Sequence, residues 1–382
     1  MTDGSSMSKA KDESNMAEAS KAGDAEEKET PRFPVGVRTD SKDANGRSVV
    51  GSTPEIRIGK YVLVKPIGIG GNGDVYKVCE IGSNKPLILK VPKQTCGAKS
   101  VMFENIVMDV IIKKDHKEDR TIGLVRKLDS GLVPNNMKLE KLDKSVEDMF
   151  LVMESLPGSI LDNLKKAKEV TKGLNKAIDY GIEMLRGVYD LHQLGMIHRD
   201  LKPENVGMFE DRSVVIFDMG MVRNFLDQEG RMRKPRTHVG MRGTDEWASY
   251  GAEVGGDQGP VDDLWGWFYT MVDNLNGFTD KNAFQAWTPY DGGRFAKDIA
   301  CIRQFMKSPF FPAQIVLDNC PSSFYRIQSY LRTLGRTDIP DYLYLASLLK
   351  DSRIDAKRTM KQHEADHMQF LQELYQKEKL WF

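Results

Sequence analysis

The sequence predicts a two-lobed α+β fold, with a small β-rich lobe ahead of a larger helical one. Three observations carry this. Short apolar and β-branched runs crowd the first lobe: Val62 and Val64, Val75 and Val78, then Leu87-Ile88-Leu89-Lys90-Val91. Helical periodicity takes over later, where Ile178, Ile182, Leu185, Val188 and Leu191 fall at i, i+4, i+7, i+10 and i+13 on one stripe. The 382 residues leave room for a two-lobed domain and for tails. The expected boundaries are a disordered polar tail over 1–55, a folded domain over 56–350 divided into lobes at 154/155, and a charged C-terminal helix over 351–382.

Residues 1–55 are rich in Lys, Glu, Asp, Ser and Ala, and Phe33 is their only aromatic. Such a segment buries too little apolar surface to offset its ordering entropy, so it is expected to be disordered. Its loss, tested by deleting residues 1–50, is expected to leave melting temperature and basal turnover nearly unchanged. The helix-like charge pattern from Asp12 to Lys28 reads as a solvated tract, with a binding segment as the alternative.

Next comes Gly68-Ile69-Gly70-Gly71-Asn72-Gly73-Asp74-Val75, with G-x-G-x-x-G-x-V spacing between strand formers. Glycines there let the backbone approach phosphate oxygens without a Cβ in the way. Glycine clusters usually mark ordinary turns; position upstream of a lysine strand gives this one its meaning. Lys90 is a single charge in a short apolar strand, odd for a buried element unless the charge has a task. The task expected is to hold nucleotide phosphates while paired to a helix glutamate. Glu104, in a segment of roughly helical spacing, is the candidate; Asp109 is the rival acid, turned away if Glu104 faces Lys90. Residues 133–148 are polar and longer than a tight turn, so they read as an extended loop or hairpin between two strands.

The helix over Ile178 to Leu191 leads into His198-Arg199-Asp200-Leu201-Lys202-Pro203-Glu204-Asn205, with Asp218-Met219-Gly220 downstream. One acid, one lysine, one amide and a second acid at this spacing make a phosphoryl-transfer site. Asp200 can accept the proton of a substrate hydroxyl, and Asn205 and Asp218 can hold Mg²⁺ against the phosphates of a nucleotide.

On these motifs the chain resembles a protein kinase of the casein kinase one group, and within it the tau-tubulin kinase branch and its expanded nematode relatives, over about residues 58–350. Further signs are Leu151-Val152-Met153-Glu154, Asp262-Asp263-Leu264-Trp265 with Phe268-Tyr269, Pro340-Asp341-Tyr342, and Gly243-Thr244-Asp245-Glu246-Trp247-Ala248-Ser249 in place of the group's Gly-Thr-x-Arg-Tyr-Ala-Ser. The resemblance implies a serine/threonine protein kinase using ATP and Mg²⁺. It implies a catalytic set of Asp200, Lys202, Lys90, Glu104 and Thr244, with Asn205 and Asp218 on the metal. It also implies nucleotide contacts from Ile67, Gly68, Gly70, Gly73, Val75, Lys90, Met153, Glu154 and Leu156. Met153 would stand at the back of the adenine pocket, Glu154 and Leu156 would offer hinge backbone groups, and Asp263 would brace the catalytic loop. Thr244 would help orient Asp200 and Lys202. The implied substrates are proteins, with a preference for acidic ones. The alternative is a pseudokinase acting as a nucleotide-binding or scaffold module. Met219, where the family usually has Phe, is the one departure near the chemistry.

Composition sets the remaining bounds. Lys plus Arg and Asp plus Glu both number 55, so nothing global points to nucleic acid or a membrane surface. No apolar stretch approaches a membrane span, and the polar N-terminus is not a signal peptide. Cys79, Cys96, Cys301 and Cys320 lack C-x-x-C spacing, which suggests reduced thiols in a cytoplasmic or nuclear protein, expected to be monomeric. His363-Glu364-Ala365-Asp366-His367 matches H-E-x-x-H, but the residues after His367 hold no histidine or cysteine for a third zinc ligand, so two surface histidines are expected. Phe370, Leu374, Leu380, Trp381 and Phe382 are apolar enough for the C-terminal helix to dock on the large lobe, with a partner site as the alternative.

Overall fold

The computed structural model describes residues 31–33, 40–42, 48–50, 56–69, 73–93, 95–118, 123–138, 147–167, 170–209, 213–237, 239–279, 296–311, 313, 317 and 320–353. Gly70, the His363/His367 pair and the expected docking residues of the C-terminal helix lie outside that set.

A short ribbon pairs β1 (Asp40–Lys42) with β2 (Ser48–Val50). The small lobe is then a six-stranded antiparallel sheet. Its strands are β3 (Arg57–Ile58), β4 (Tyr61–Ile69), β5 (Asp74–Glu80), β6 (Leu87–Val91), β7 (Lys127–Leu132) and β8 (Met149–Glu154), in the order β3-β4-β5-β6-β8-β7. Residues 133–148 connect the antiparallel pair β7 and β8. Alternation along β6 explains its lone charge. Leu87, Leu89 and Val91 enter one apolar cluster with Tyr61, Tyr76, Val78, Phe150 and Val152. Ile88 and Lys90 face the other way, the side that meets helix α1 (Thr95–Glu118). Val101, Val107, Met108 and Ile111 of α1 join the larger core that continues into the second lobe.

That second lobe is helical. Helices α2 (Ile160–Lys165) and α3 (Val170–Gln193) precede two small ribbons. In one, β9 (Met196–Ile197) pairs with β12 (Arg223–Asn224); in the other, β10 (Val206–Met208) pairs with β11 (Val214–Ile216). Helices α4 (Tyr250–Glu253), α5 (Pro260–Thr279), α6 (Ala296–Lys307), α7 (Ser323–Thr333) and α8 (Tyr342–Asp351) complete it. Ile178, Leu185, Val188 and Leu191 of the α3 stripe are buried with Leu264, Trp267, Phe268 and Val272 of α5 in one core, and Trp267 Nε1 donates to the Gly181 carbonyl at 2.9 Å. Gly187 is needed where α3 passes the segment ahead of β7: a Cβ there would lie 2.5 Å from the Gly123 carbonyl oxygen. This close approach lets Ile216 N–H reach Gly123 O at 3.0 Å and Val125 N–H reach Ile216 O at 2.9 Å. The two lobes are thereby joined just ahead of Asp218. No helix among the described residues is long and apolar enough to cross a membrane.

The disordered-tail expectation fails at Arg32 and Phe33. Phe33 is 8 % exposed and belongs to the apolar cluster on the outer face of the sheet, its ring centroid 6.2 Å from that of Tyr76 and its N–H donating to the Tyr76 hydroxyl at 2.9 Å. Composition missed this because one aromatic and one arginine suffice when the sheet presents a ready-made cleft. Removing residues 1–50 is therefore expected to destabilise the small lobe. Phe33→Ala isolates the effect: it should cost about 3 kcal/mol, the usual loss for emptying a buried aromatic site, read by chemical denaturation. Stability within experimental error of the parent would show that the ring does not pack there.

Candidate active site

Lys90 is the point where the two lobes meet chemically. Its Nζ lies 2.8 Å from Glu104 Oε2 and 2.8 Å from Asp218 Oδ1. Glu104 is 1 % exposed, and its Oε1 accepts the Met219 N–H at 3.1 Å. Asp109, the rival acid, pairs instead with Lys127 Nζ at 2.7 Å. Burial pushes the Glu104 carboxyl up, while Lys90 pulls it down without fully offsetting the burial. For Asp218 the burial penalty is outweighed by the Lys90 ammonium and its hydrogen bond, so its carboxyl sits below the usual range. Burial disfavours the Lys90 charge, but its two carboxylates prevail and its pKa is raised. Met219 is fully buried in the main core, so methionine fills the place of the family's phenylalanine with the Glu104 contact made.

Asp200 sits across the cleft in its own set of contacts. Its Oδ1 accepts from the Thr244 hydroxyl at 2.7 Å and its Oδ2 from Asn205 Nδ2 at 3.1 Å. Lys202 Nζ lies 3.2 Å from the same Oδ2 and donates to Thr244 Oγ1 at 2.6 Å. Asn205 Nδ2 also donates to the Asp200 carbonyl at 2.8 Å. With its amide nitrogen so engaged, the Asn205 oxygen is the atom left for a metal. Asn205 and Asp218 offer hard oxygen donors, the set that suits Mg²⁺ when phosphates supply further ligands.

Asp263, the second acid of the Asp-Asp pair on α5, holds the catalytic loop from below. It is 2 % exposed. Its Oδ2 accepts the His198 N–H at 2.6 Å and its Oδ1 the Arg199 N–H at 2.7 Å. Burial opposes its charge, but the hydrogen bond from His192 and the nearby imidazoles win, and its carboxyl titrates low. Arg199 has φ 70° and Asp218 φ 63°, a left-handed conformation that non-glycine residues rarely adopt. Both lie in the segments that hold the candidate catalytic and metal residues, and Asp263 grips one of them directly. Sequence reasoning missed the support behind it. His192 Nε2 lies 2.9 Å from Asp263 Oδ2, and its Nδ1 lies 2.5 Å from the Tyr342 hydroxyl on α8. The only hint was that His192 follows Leu191 at the end of the buried stripe.

The nucleotide side has the same economy of contacts. Gly73 is required because a Cβ would fall 2.9 Å from the Val91 carbonyl oxygen and 3.6 Å from Lys90 Cε. Gly68 pairs with Val75 across β4 and β5, and Ile67 sits at a bulge between them, half exposed. Met153 is buried opposite Ile88 of β6. The Glu154 N–H donates to Arg126 O at 3.3 Å, and Leu156 lies over Gly207.

The Gly-Thr segment is pinned by ion pairs that sequence did not suggest. Lys307 Nζ lies 2.6 Å from Glu253 Oε1, and Arg303 reaches both Glu253 at 3.1 Å and Asp245 at 2.8 Å. Burial brings the Lys307 ammonium down to about 8 against the pull of Glu253. Asp257, in the loop after α4, collects Arg236 at 2.8 Å, Arg336 at 3.2 Å and Arg223 at 3.6 Å.

With lysine, helix glutamate, two acids and an amide so placed, comparison with known proteins becomes decisive. The signature of the protein kinase domain matches residues 61–265, more than half of the chain. The chain belongs to the protein kinase family. Relatives include a probable serine/threonine-protein kinase of Dictyostelium discoideum, 26 % identical over 77 % of this chain. Two kinases of Caenorhabditis elegans are also similar: the serine/threonine-protein kinase spe-6, 27 % identical over 79 % of this chain, and a putative serine/threonine-protein kinase, 29 % identical over 76 %. The chain spans about half the length of the Dictyostelium protein (53 %) and about three quarters of the nematode ones (74 % and 77 %). The structure of vaccinia related kinase 3 superposes with a TM-score of 0.56 at 16 % identity, covering 85 % of this chain and 93 % of that one, which establishes the shared two-lobed fold.

The Tyr342-His192-Asp263 relay yields a direct expectation. Tyr342→Phe keeps the ring and removes one hydrogen bond, worth about 1 kcal/mol. Local opening of the loop should become about fivefold easier, and the His198 and Arg199 amides should exchange with deuterium faster by that factor. Unchanged exchange would show that Asp263 holds the loop without help from Tyr342.

Proposed function

We propose that this kinase-family chain is an active ATP- and Mg²⁺-dependent serine/threonine protein kinase of the casein kinase one group, on its tau-tubulin kinase branch. The observation that carries the reading is Lys90 held between Glu104 and Asp218 while Asp200 is held separately by Thr244, Asn205 and Lys202. In this reading the glycine-rich loop and Lys90 hold the nucleotide phosphates. Asn205 and Asp218 would hold Mg²⁺, whose positive charge would offset that of the nucleotide phosphates. Asp200 orients the substrate hydroxyl and takes its proton, and Lys202 steadies the transferred phosphoryl group. Catalysis is then mostly positioning and electrostatics. The enzyme is read as cytoplasmic or nuclear and monomeric; that Cys79, Cys301 and Cys320 form no disulfide agrees with a reducing compartment.

Purified full-length chain with ATP, Mg²⁺ and casein or acidic peptides tests the activity. Asp200→Asn and Lys90→Met should each lower turnover at least about a hundredfold, the scale of losing a positioned base or phosphate anchor, with circular dichroism unchanged. Parent-like turnover in Asp200→Asn would remove the proposed base.

Substrate preference follows from charge around the Gly-Thr segment. Where the group has arginine, this chain has Glu246, half buried beside Asp245. Asp245 is matched by Arg303, whereas Glu246 has no ion-pair partner among the described residues. A carboxylate there repels phosphate. In the preceding loop Arg223 and Arg236 are committed to Asp257, and Arg231 to Asp227 and Glu229. Arg233, Lys234 and Arg242 remain exposed. Arg199, beside Asp200, has its pKa lowered by burial and then by Arg236 and Arg242, which marks a positive field near the base. The reading is therefore loss of phosphate priming, with a weak and salt-sensitive preference for acidic substrates. Peptides carrying phosphoserine, aspartate or alanine three places before the acceptor should differ only a few-fold at low salt and converge at high salt. Glu246→Arg should raise the phosphoserine preference. A strong phosphoserine preference that persists at high salt and ignores Glu246→Arg would refute it.

A further inference from the structure

We propose that Arg32, which lies outside the matched kinase domain, is a positioning residue for the nucleotide-binding loop; this rests on the kinase reading above. Its backbone N–H donates to Asp74 Oδ2 at 2.5 Å. Its guanidinium grips Asp148 with both arms, Nη1 to Oδ1 at 3.0 Å and Nη2 to Oδ2 at 2.5 Å. Nη1 also donates to the Pro92 carbonyl at 2.5 Å and Nη2 to the Met137 carbonyl at 2.7 Å. The side chains of Arg32 and Asp148 are 6 % and 4 % exposed. One residue therefore ties the start of β5, the end of β6, the turn after β7 and the approach to β8.

Asp74 makes this matter for nucleotide. It is the residue between Gly73 and Val75 in the glycine-rich motif, it is fully buried, and it pairs with Val91, the neighbour of Lys90. Its Oδ1 has no hydrogen-bond partner among the described residues, so the carboxylate leans on the Arg32 backbone N–H at Oδ2, which the guanidinium holds in place through its contacts to Asp148, Pro92 and Met137. A buried carboxylate deprived of a donor is costly and seeks water. The direction of relief is outward, and it would draw the Gly73-Asp74 backbone off β6, where Gly73 now rests against Val91 and Lys90. Arg32 thus fixes the Gly73-Asp74 end of the loop relative to Lys90. The bidentate grip on Asp148 supplies direction that a single ammonium lacks. The contacts touch neither Asp200 nor the Gly-Thr segment, so the effect belongs to nucleotide binding and not to the peptide side.

The test is binding of a fluorescent methylanthraniloyl-ATP with Mg²⁺ to full-length protein, at a temperature well below unfolding, with peptide KM measured alongside. Arg32→Ala should raise the nucleotide Kd about fivefold to tenfold and leave peptide KM within twofold. Arg32→Lys keeps the charge and lacks the fork; it should give a smaller rise in Kd and guards against an Arg32→Ala protein that fails to fold. A Kd unchanged in both variants, or a loss confined to melting temperature, overturns the proposal and leaves the kinase reading intact. A parent chain that binds nucleotide without transferring phosphate removes the kinase activity and leaves the Arg32 result readable from Kd. A parent chain that binds no nucleotide overturns both.

Discussion

The geometry of the whole site depends on one ammonium shared by two carboxylates. Lys90 Nζ stands 2.8 Å from both Glu104 and Asp218, and these come from a small-lobe helix and from the segment that follows a large-lobe strand. Removing the lysine would leave two acids facing each other in a mostly buried space, where like charges cost most. The alternation of β6 turns Lys90 away from the apolar cluster and toward α1, and the register of β5 with β6 brings the glycine loop alongside it. Sheet pairing, helix placement and lobe closure therefore converge on a single side chain.

The large lobe answers with a second anchor built on different physics. Asp263 holds two backbone amides, and one of them belongs to a residue in a left-handed conformation. A strained backbone persists when its surroundings over-determine it. Here the surroundings include an aspartate on α5, a histidine on α3 and a tyrosine on α8. The helices of this lobe do more than enclose a core: three of them set the position of Asp200.

What was legible in the sequence was what the chemistry requires within one segment. Asp200, Lys202 and Asn205 sit on one loop, and Asp218 a fixed step later, so spacing alone singled them out as candidates, and the fold brings the first three into one hydrogen-bonded set. Glu104 over Asp109 was legible because a helix separates residues five apart onto different faces. The two-lobed division followed from a change of hydrophobic period. Contacts formed by chain return were not legible. Arg32 meets Asp148 across 116 residues and His192 meets Tyr342 across 150. Tyr342 was visible as a family sign, but its partner was not. The tail was misjudged at Arg32 and Phe33 because composition averages over a segment, and two residues in a suitable cleft escape the average. The arginines that follow Asp218 could not be sorted from sequence, since only the fold shows that Arg223 and Arg236 converge on Asp257.

Asp257 carries one further consequence. It is a buried carboxylate that draws together Arg223 from the start of the segment after Asp218, Arg236 from its middle and Arg336 from the loop ahead of α8. Protein kinases often order this segment with a phosphate placed among arginines. Here the anion that gathers the arginines is part of the polypeptide. It is present from the moment of synthesis, it needs no upstream enzyme to install it, and no phosphatase can take it away. The order imposed on this stretch by those three arginines is inherited rather than signalled.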